Sequence, residues 1–537
     1  MSGLLNIAEM IIPLVIKNAV ILWLLLGAII ITRLLLRRYR RPIPPGPRGW
    51  PVIGNVLDFP VSHQWMTFAK WGEQWGDIMT VRLLGRRIVI LNSSQLAVEM
   101  LEKKSLIYSH RPTFVVAGEM VGWDHIGSQI QYGPRLRETR RLLSQFMGSR
   151  EKATSFAPHI ESENHRFLQR ILRDPDTLTT QLRKTAAAII LMLSYGYQVQ
   201  EGDDPLVRIA EIAISDASHA LSPASFLVDI FPLLKHVPQW VPGFTWKGKV
   251  AEMARNLTTM REMPFNFVKE QMRAGTAIPN FTSHHLGGRI SLEREQLIKD
   301  TASALYVGGS DTTVSTLSSF FLAMMQHPEI QRRAQLEIDT VVGNDRLPTL
   351  ADRDQLPFVN AICSEVLRMS PSAPIGTILM RNSASKYSWP SAFPHVLCED
   401  DFHAGYFIPK GTAVIANVWK FCHDPRTYTN PFEFNPSRFF SSEKHIAEWD
   451  PRNWVFGFGR RNCPGLHFAD AAIFITCAMS LAVFDISKAV VNDVPIEQAI
   501  EMSSGIISHP LPFKCHITPR SSKAEALILT ADSHSTT

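Results

Sequence analysis

The stretch Phe456-Gly-Phe-Gly-Arg-Arg-Asn-Cys463-Pro-Gly465 constrains this chain more than any other ten residues. Pro464 starts a helix at no cost, because the first helical N–H groups have no intrahelical partner. An apolar run from Leu466 to Phe484 follows. The spacing predicts a glycine-punctuated loop that opens a helix, with Cys463 at the N-cap. There the helix dipole and unpaired amides favour a thiolate over a thiol. Gly457, Gly459 and Gly465 let backbone approach the sulfur, Arg461 offers a cation and Phe456 a hydrophobic shield. A shielded, hydrogen-bonded thiolate suits axial ligation of a haem iron. The plain alternative is a buried structural cysteine in a turn.

The formal net charge of +6 is concentrated at one end. Residues 1–50 hold seven Lys/Arg and one acidic residue, while the remainder has 48 of each sign and is neutral. No broad basic surface exists for nucleic acid. Ile11–Ile16 and Ala19–Thr32 are apolar apart from the intervening Lys17-Asn18, and Leu34–Leu36 extend the run. Together they reach the ~20 residues that span a bilayer. Arg33, Arg37, Arg38, Arg40 and Arg41 follow on one side, which leaves the rest of the chain cytosolic. A cleaved signal peptide is the rival, disfavoured by the long apolar core and the lack of a small-residue cleavage site. Residues 1–36 are therefore read as a membrane anchor. Residues 37–50, with Pro42-Ile-Pro-Pro-Gly-Pro47, are read as a basic, proline-rich hinge, a loose linker being the alternative. Six cysteines occur, all after residue 362, with no metal-ligand spacing, which fits a reduced compartment. Sequons at Asn92, Asn256 and Asn280 are expected to be unmodified on this topology.

Residues 51–520 read as one large domain, mainly α with minor β sheets, and 521–537 as a flexible tail. Strand-like alternation is confined to Ile78–Leu91 and Gly405–Ala416. The longest helix is predicted from about Leu292 to Gln326, stopped by His327-Pro328. Its centre reads Gly308-Gly-Ser-Asp311-Thr312-Thr313. Each mid-helix glycine costs about 1 kcal/mol relative to alanine, so a close neighbour or a local kink must compensate. Glu365-Val-Leu-Arg368 sets a carboxylate and a guanidinium on one helical face, which alone usually means a solvated ion pair.

With Phe434-Asn-Pro-Ser-Arg438-Phe439, these segments resemble the cytochrome P-450 family, in its membrane-anchored microsomal form and most like its fungal members. The likeness covers nearly all of the chain after Trp50. It implies the P-450 fold, a single large haem domain behind an N-terminal transmembrane helix, with haem b on Cys463. It implies that Phe456, Gly459 and Arg461 contribute to the haem loop. Thr312 matches the alcohol that hydrogen-bonds dioxygen at the haem, and Asp311 the acid that relays protons. Glu365, Arg368 and Arg438 match a buried structural network. Tyr132–Arg141 resembles the family's W-x-x-x-R helix, with Leu136 in place of the tryptophan. Arg140 then matches a propionate ligand, with Arg461 as a second and His395 as a further contact. A solvated basic face is the alternative for Arg140, since Arg135, Arg137 and Arg141 crowd the same stretch.

One segment departs from the family pattern. Between Gly376 and Pro394 lie 17 additional residues, Thr377–Phe393. They are either a loop extension, inexpensive to close, or a retained in-frame intron. Continuity of the flanks once the segment is removed favours the intron, and transcript reads containing codons 377–393 would dismiss it.

The resemblance implies a monooxygenase that inserts one oxygen atom from dioxygen into a lipophilic substrate. An aromatic, terpenoid or steroid-like molecule is expected, in secondary metabolism or xenobiotic oxidation. No flavin- or nicotinamide-binding signature occurs, so electrons come from a separate protein. By family likeness this is a membrane-bound NADPH-dependent flavoprotein reductase, docking where Arg452, Arg460 and Arg461 cluster. The expected location is the endoplasmic reticulum membrane, single-pass, with membrane lipid as a further partner. Rival classes are a haem-thiolate isomerase or dehydratase that needs no dioxygen, and a non-catalytic membrane haemoprotein.

Overall fold

The computed structural model describes residue 27 and residues 41–221, 226–375, 394–441, 443, 446–491, 494–498, 501–504 and 507–530. The anchor read over residues 1–36, Gly27 apart, and the segment 377–393 lie outside them.

The helices that frame the core are α1 (Pro134–Met147), α2 (Ala157–Arg173), α3 (Leu178–Tyr195), α4 (Trp246–Ala274), α5 (Leu292–Gln326), α6 (Pro357–Met369), α7 (Leu466–Val483) and α8 (Ser522–Leu529). Helix α5 has the predicted bounds. The Ser291 hydroxyl caps it by accepting from the Arg294 N–H at 3.2 Å, and Pro328 bars its continuation past His327. Every residue from Thr313 to Leu322 is buried, so this half of α5 is surrounded on all sides. Helix α7 is buried all round from Ala471 to Leu481. It is the one described helix long and apolar enough to cross a membrane, yet 72% of it lies inside the protein, which makes it core. Phe484, predicted as its last residue, instead opens a strand.

The main sheet is formed by β1 (Ile78–Leu83), β2 (Arg86–Leu91), β3 (His395–Val396) and β6 (Ala413–Ala416), in the order β1-β2-β6-β3. The β1–β2 turn, Leu84-Gly85, has φ of 46° and 81°, the left-handed pair that a tight hairpin requires. Strand β6 runs parallel to β2 with Ile88 opposite Ala413, and β3 is antiparallel with His395 opposite Val414. This register places His395 at the edge of the sheet. Phe59, Trp65, Phe68, Met79, Val81, Ile90 and Ile415 form a second core against it.

Part of the proline-rich segment belongs to this body. The Thr80 N–H donates to the Pro45 carbonyl at 2.6 Å, and a Cβ on Gly46 would fall 2.0 Å from the Thr80 oxygen, so only glycine fits. Residues 41–44 and 400–409 belong to a separate compact unit. Within it β4 (Asp401–His403) pairs with β5 (Tyr406–Ile408), the Phe407 N–H donates to the Pro42 carbonyl at 2.6 Å, and the Arg41 guanidinium lies 4.7 Å above the Phe407 ring.

Residues 521–530, expected to belong to a flexible tail, are a correction. Helix α8 buries Ala524 and Ile528, and the His165 ring of α2 bonds the Ile528 carbonyl at 3.0 Å. The strand before it, β8 (Cys515–Pro519), pairs with β7 (Phe484–Lys488) and brings α8 back to the core. The sequons are committed as well. The amide nitrogens of Asn92, Asn256 and Asn280 donate to Phe68 O, Asp216 Oδ2 and Ile278 O, at 2.9, 2.8 and 2.8 Å.

Candidate active site

The cysteine loop closes on itself. The Cys463 N–H donates to the Phe456 carbonyl at 2.7 Å, and Gly457, at φ 84°, makes the turn. The N-cap of α7 is Gly465 and not Cys463, a correction of two residues, because Pro464 precedes the cap instead of following it. Burial pushes the Cys463 thiol up, while the Gly465 amide and the Arg140 charge pull it down without cancelling the rise. A metal cation bound at the sulfur would favour the thiolate. Cys463 is nonetheless exposed. Phe456 is half-buried against the main core.

Gly459 serves the loop in a second way. A Cβ there would meet the Leu101 carbonyl oxygen and Ser105 Cβ, each at 2.7 Å, so this glycine also lets the loop dock on the 98–105 segment.

Positive charge gathers beside the loop. Arg140, on α1, donates to the Asn462 carbonyl at 2.7 Å. Leu136, one turn earlier, is buried where an indole donor would have sat. Arg461 donates through Nε to Ser109 O at 2.8 Å and through Nη2 to Ile130 O at 2.6 Å. Its Nη1 is buried with no hydrogen-bond partner among the described residues. Burial and the neighbouring Arg140 charge pull the Arg461 guanidinium down to about 10. Arg111, which the sequence did not single out, is buried beside them and donates to Ser128 O at 3.0 Å and Pro394 O at 2.8 Å. The His395 ring bonds Tyr108 O at 2.7 Å, and burial with the Arg111 and Arg461 charges holds it far below the usual imidazole range, so it stays neutral. Like charges held together under cover, one with an orphaned N–H, fit a multiply charged anion such as the carboxylate pair of a porphyrin.

The middle of α5 presents the opposite character. A Cβ on Gly309 would lie 2.8 Å from Ile190 Cδ1, so this glycine is needed where α5 crosses α3. A Cβ on Gly308 would meet nothing within 4 Å. Gly308 is exposed on a helix whose next turns are fully buried, so an open face lies at this level. The helix runs unbroken here, and the Thr312 hydroxyl donates to the Gly308 carbonyl at 2.9 Å. The Asp311 carboxylate is held through one oxygen, Oδ1, 3.1 Å from His509 Nε2 and 3.9 Å from Arg183 Nη1. Neither partner was legible in the sequence.

Glu365, Arg368 and Arg438 do come together, and all three are buried. Glu365 receives Arg368 Nε at 2.7 Å and Nη2 at 2.8 Å, and Arg438 Nε at 3.1 Å. The structure adds Glu448, whose Oε2 takes Arg438 Nη1 at 2.6 Å and brings the network to two charges of each sign. The remaining guanidinium donors reach the carbonyls of Cys422, Thr429, Pro431 and Glu433.

The expected docking arginines separate. Arg452 is turned inward onto Asp470 and Ser364 at 2.8 and 2.7 Å, and Arg461 faces the 109–130 segment. Of the three, Arg460 alone is exposed.

Comparison with known proteins agrees with this arrangement. The model of the Cytochrome P-450 family matches residues 44–517. Cytochrome P-450 monooxygenase 208 of Postia placenta is 55% identical over 91% of this chain and 92% of its own length. Cytochrome P-450 monooxygenase claR of Ampulloclitocybe clavipes is 44% identical over 94% and 92%, and monooxygenase ppsD of Aspergillus oryzae 37% identical over 92% of each. With a family match across most of its length and relatives of this identity, the chain belongs to the cytochrome P-450 family and is a haem-thiolate monooxygenase.

Proposed function

We propose that this enzyme inserts one oxygen atom from dioxygen into a lipophilic small molecule held against the open face of α5, with its haem b on Cys463. The observation that carries the reading is a pairing within one loop: an exposed sulfur at Cys463 and, two residues earlier, a buried guanidinium donor at Arg461 with no partner among the described residues. A metal ligand and an anion anchor on one short segment suit a metalloporphyrin. Cys463 Sγ would hold the iron, and Arg140, Arg461, Arg111 and His395 the propionates. When bound, the haem supplies the activation of dioxygen.

The chain's own residues do the rest. Arg461 and Arg111 neutralise charge that would otherwise be buried alone. Glu365, Arg368, Arg438 and Glu448 fix the segment that leads into the cysteine loop. The α5 face at Gly308 leaves room for a substrate, and the nearest charges, Asp311 and Arg183, offset each other, which favours a lipophilic ligand. Asp311 and Thr312 hold protons beside that face, Asp311 through its carboxyl and Thr312 through a hydroxyl parked on the Gly308 carbonyl. The electron donor is an NADPH-dependent flavoprotein reductase, approaching the side on which Arg460 is exposed.

Membrane association at the endoplasmic reticulum belongs to the same reading. Large apolar side chains are exposed in two segments, Trp50, Val52, Leu57 and Val61 in one, and Leu227, Phe231, Leu233 and Trp240 in the other. Arg86 of the β1–β2 hairpin donates to Asp229 O at 3.3 Å, and Gly54 bridges Leu83, so both segments border the same hairpin. An apolar rim of this kind suits a lipid interface.

The deciding experiment is a carbon-monoxide difference spectrum of the reduced protein. A Soret band at the thiolate position is expected in the wild type and its loss in Cys463→Ser. A histidine-type band, or a band that survives in Cys463→Ser, rejects the reading. Turnover of polycyclic aromatics, stilbenes and steroids with a co-expressed reductase then defines the substrate.

A further inference from the structure

The acid on the open face of α5 is not isolated. Asp311 Oδ1 is 3.1 Å from His509 Nε2, and the residue that brings His509 there is neither on α5 nor next to it in sequence. His509 ends a short loop fastened to the core by its backbone. The Ser315 hydroxyl of α5 donates to the Ser508 carbonyl at 2.5 Å, and the Ser508 N–H donates to the Ser372 carbonyl at 2.8 Å. The His509 N–H donates to Ser503 Oγ at 2.9 Å, and the Ser508 hydroxyl to Ser503 O at 2.9 Å. The imidazole is thus carried on backbone tied to α5, Ser372 and Ser503.

The other groups facing Asp311 are few. Arg183, from α3, stands 3.9 Å from the same oxygen and is about half exposed. It is permanently charged and cannot give up a proton. His63 bonds the Met502 carbonyl at 2.8 Å and is the remaining titratable side chain seated on this loop, with Glu501 at its start. The His509 and Asp311 side chains are 20% and 25% exposed, so water reaches both without flooding them.

We propose that His509 recharges Asp311 with protons during turnover. The Nε2–H bond of the imidazolium breaks, an O–H bond forms at Asp311 Oδ1, and the electron pair stays on nitrogen until solvent protonates it again. Arg183 orients the ionised carboxylate and takes no part in the transfer. This inference rests on the reading of Asp311 as the proton-holding acid of the site. His509 acts through Asp311, as a positioning and relay residue.

Three variants of the holoenzyme test it, His509→Gln, His509→Ala and Asp311→Ala. The first readout needs no turnover: the Nε2–H proton signal of His509, identified by its loss in His509→Gln. It should be visible in the wild type and lost to exchange in Asp311→Ala. If Asp311→Ala leaves it unchanged, the contact does not exist and the proposal fails. The second is NADPH oxidation with reductase in air-saturated buffer, dioxygen being the only acceptor. Both His509 variants should lose roughly 10-fold, less than the ~100-fold typical of a group touching the reacting atoms. They should also change the pH profile of the rate, which a merely structural role would not move. If Gln restores the wild-type rate and pH profile, His509 only props the loop and the relay is overturned. If Asp311→Ala is itself unimpaired, the role given to Asp311 falls too, while impairment of Asp311→Ala alone removes His509 and spares Asp311.

Discussion

Gly308 and Gly309 are neighbours with the same helix penalty and opposite surroundings, which makes them a matched pair. Alanine at either gains about 1 kcal/mol of helix propensity, so that term cancels in a comparison. The added methyl at 309 must displace Ile190, whose branched side chain is buried and stiff, whereas the one at 308 meets open space. Gly309→Ala should therefore be less stable than Gly308→Ala by about 1–3 kcal/mol in urea unfolding. Ile190→Val in the Gly309→Ala background should recover part of the loss. Equal stability of the two single variants would show that α5 and α3 do not cross closely there. The sequence indicated that two glycines needed a reason, and could not say that each has its own. The same limit hid His509, Arg111 and Glu448. Cys463, Asp311 and Glu365 sit in short patterns whose chemistry is local, while their partners arrive from distant segments through tertiary packing that no spacing encodes.

Among the elements, the join between α6 and the segments that follow it rests on four charges. Glu365 carries two arginines and the Asn435 N–H at 2.7 Å, and it has no exposure to water. Removing it leaves two guanidiniums buried with one acid between them. Glu365→Ala should cost about 3–5 kcal/mol and yield little haem-loaded protein. Glu448 serves one arginine, Arg438, besides the Thr429 N–H at 2.9 Å, so Glu448→Ala should cost less, readable as a smaller fall in melting temperature. Equal losses would mean that the four act as one unit. The helices themselves were legible, α5 to the residue, because their caps and prolines are written locally. The end of α7 was not: Phe484 has helical hydrophobicity, but pairing with Pro519 draws it into a strand. Helix α8 was missed for a similar reason, since its sequence is short and mixed and its order comes from the surface it covers.

For the molecule as a whole, buried and half-buried histidines set the response to acid. Burial first, with smaller contributions from neighbouring charges, lowers His159 and His285 to about 4 and His423 to about 3, and His395 well below its ordinary value. These rings fold in neutral form. Below about pH 6.5 the unfolded chain takes up protons that the folded chain refuses, so stability is complete above that pH. It should fall steadily down to about pH 4, as melting temperature by circular dichroism would record. His423→Gln should make that slope shallower throughout, and an unchanged slope would exclude His423 as a source. The exposed apolar rim, proposed above to meet lipid, makes a second molecular prediction. With residues 1–40 removed, the protein should still float with vesicles of zwitterionic lipid, and Phe231→Ser with Trp240→Ser should release several-fold more of it into solution.

The last helix has a consequence for inheritance. A stop codon arising after residue 520 would spare every residue named in the site. It would also strip His165 and Gln169 of the carbonyl they share at Ile528, and uncover the seat of Ala524 on the interior. Such an allele would present as missing polypeptide, cleared before it could accept pigment, and assays aimed at chemistry would misjudge the lesion.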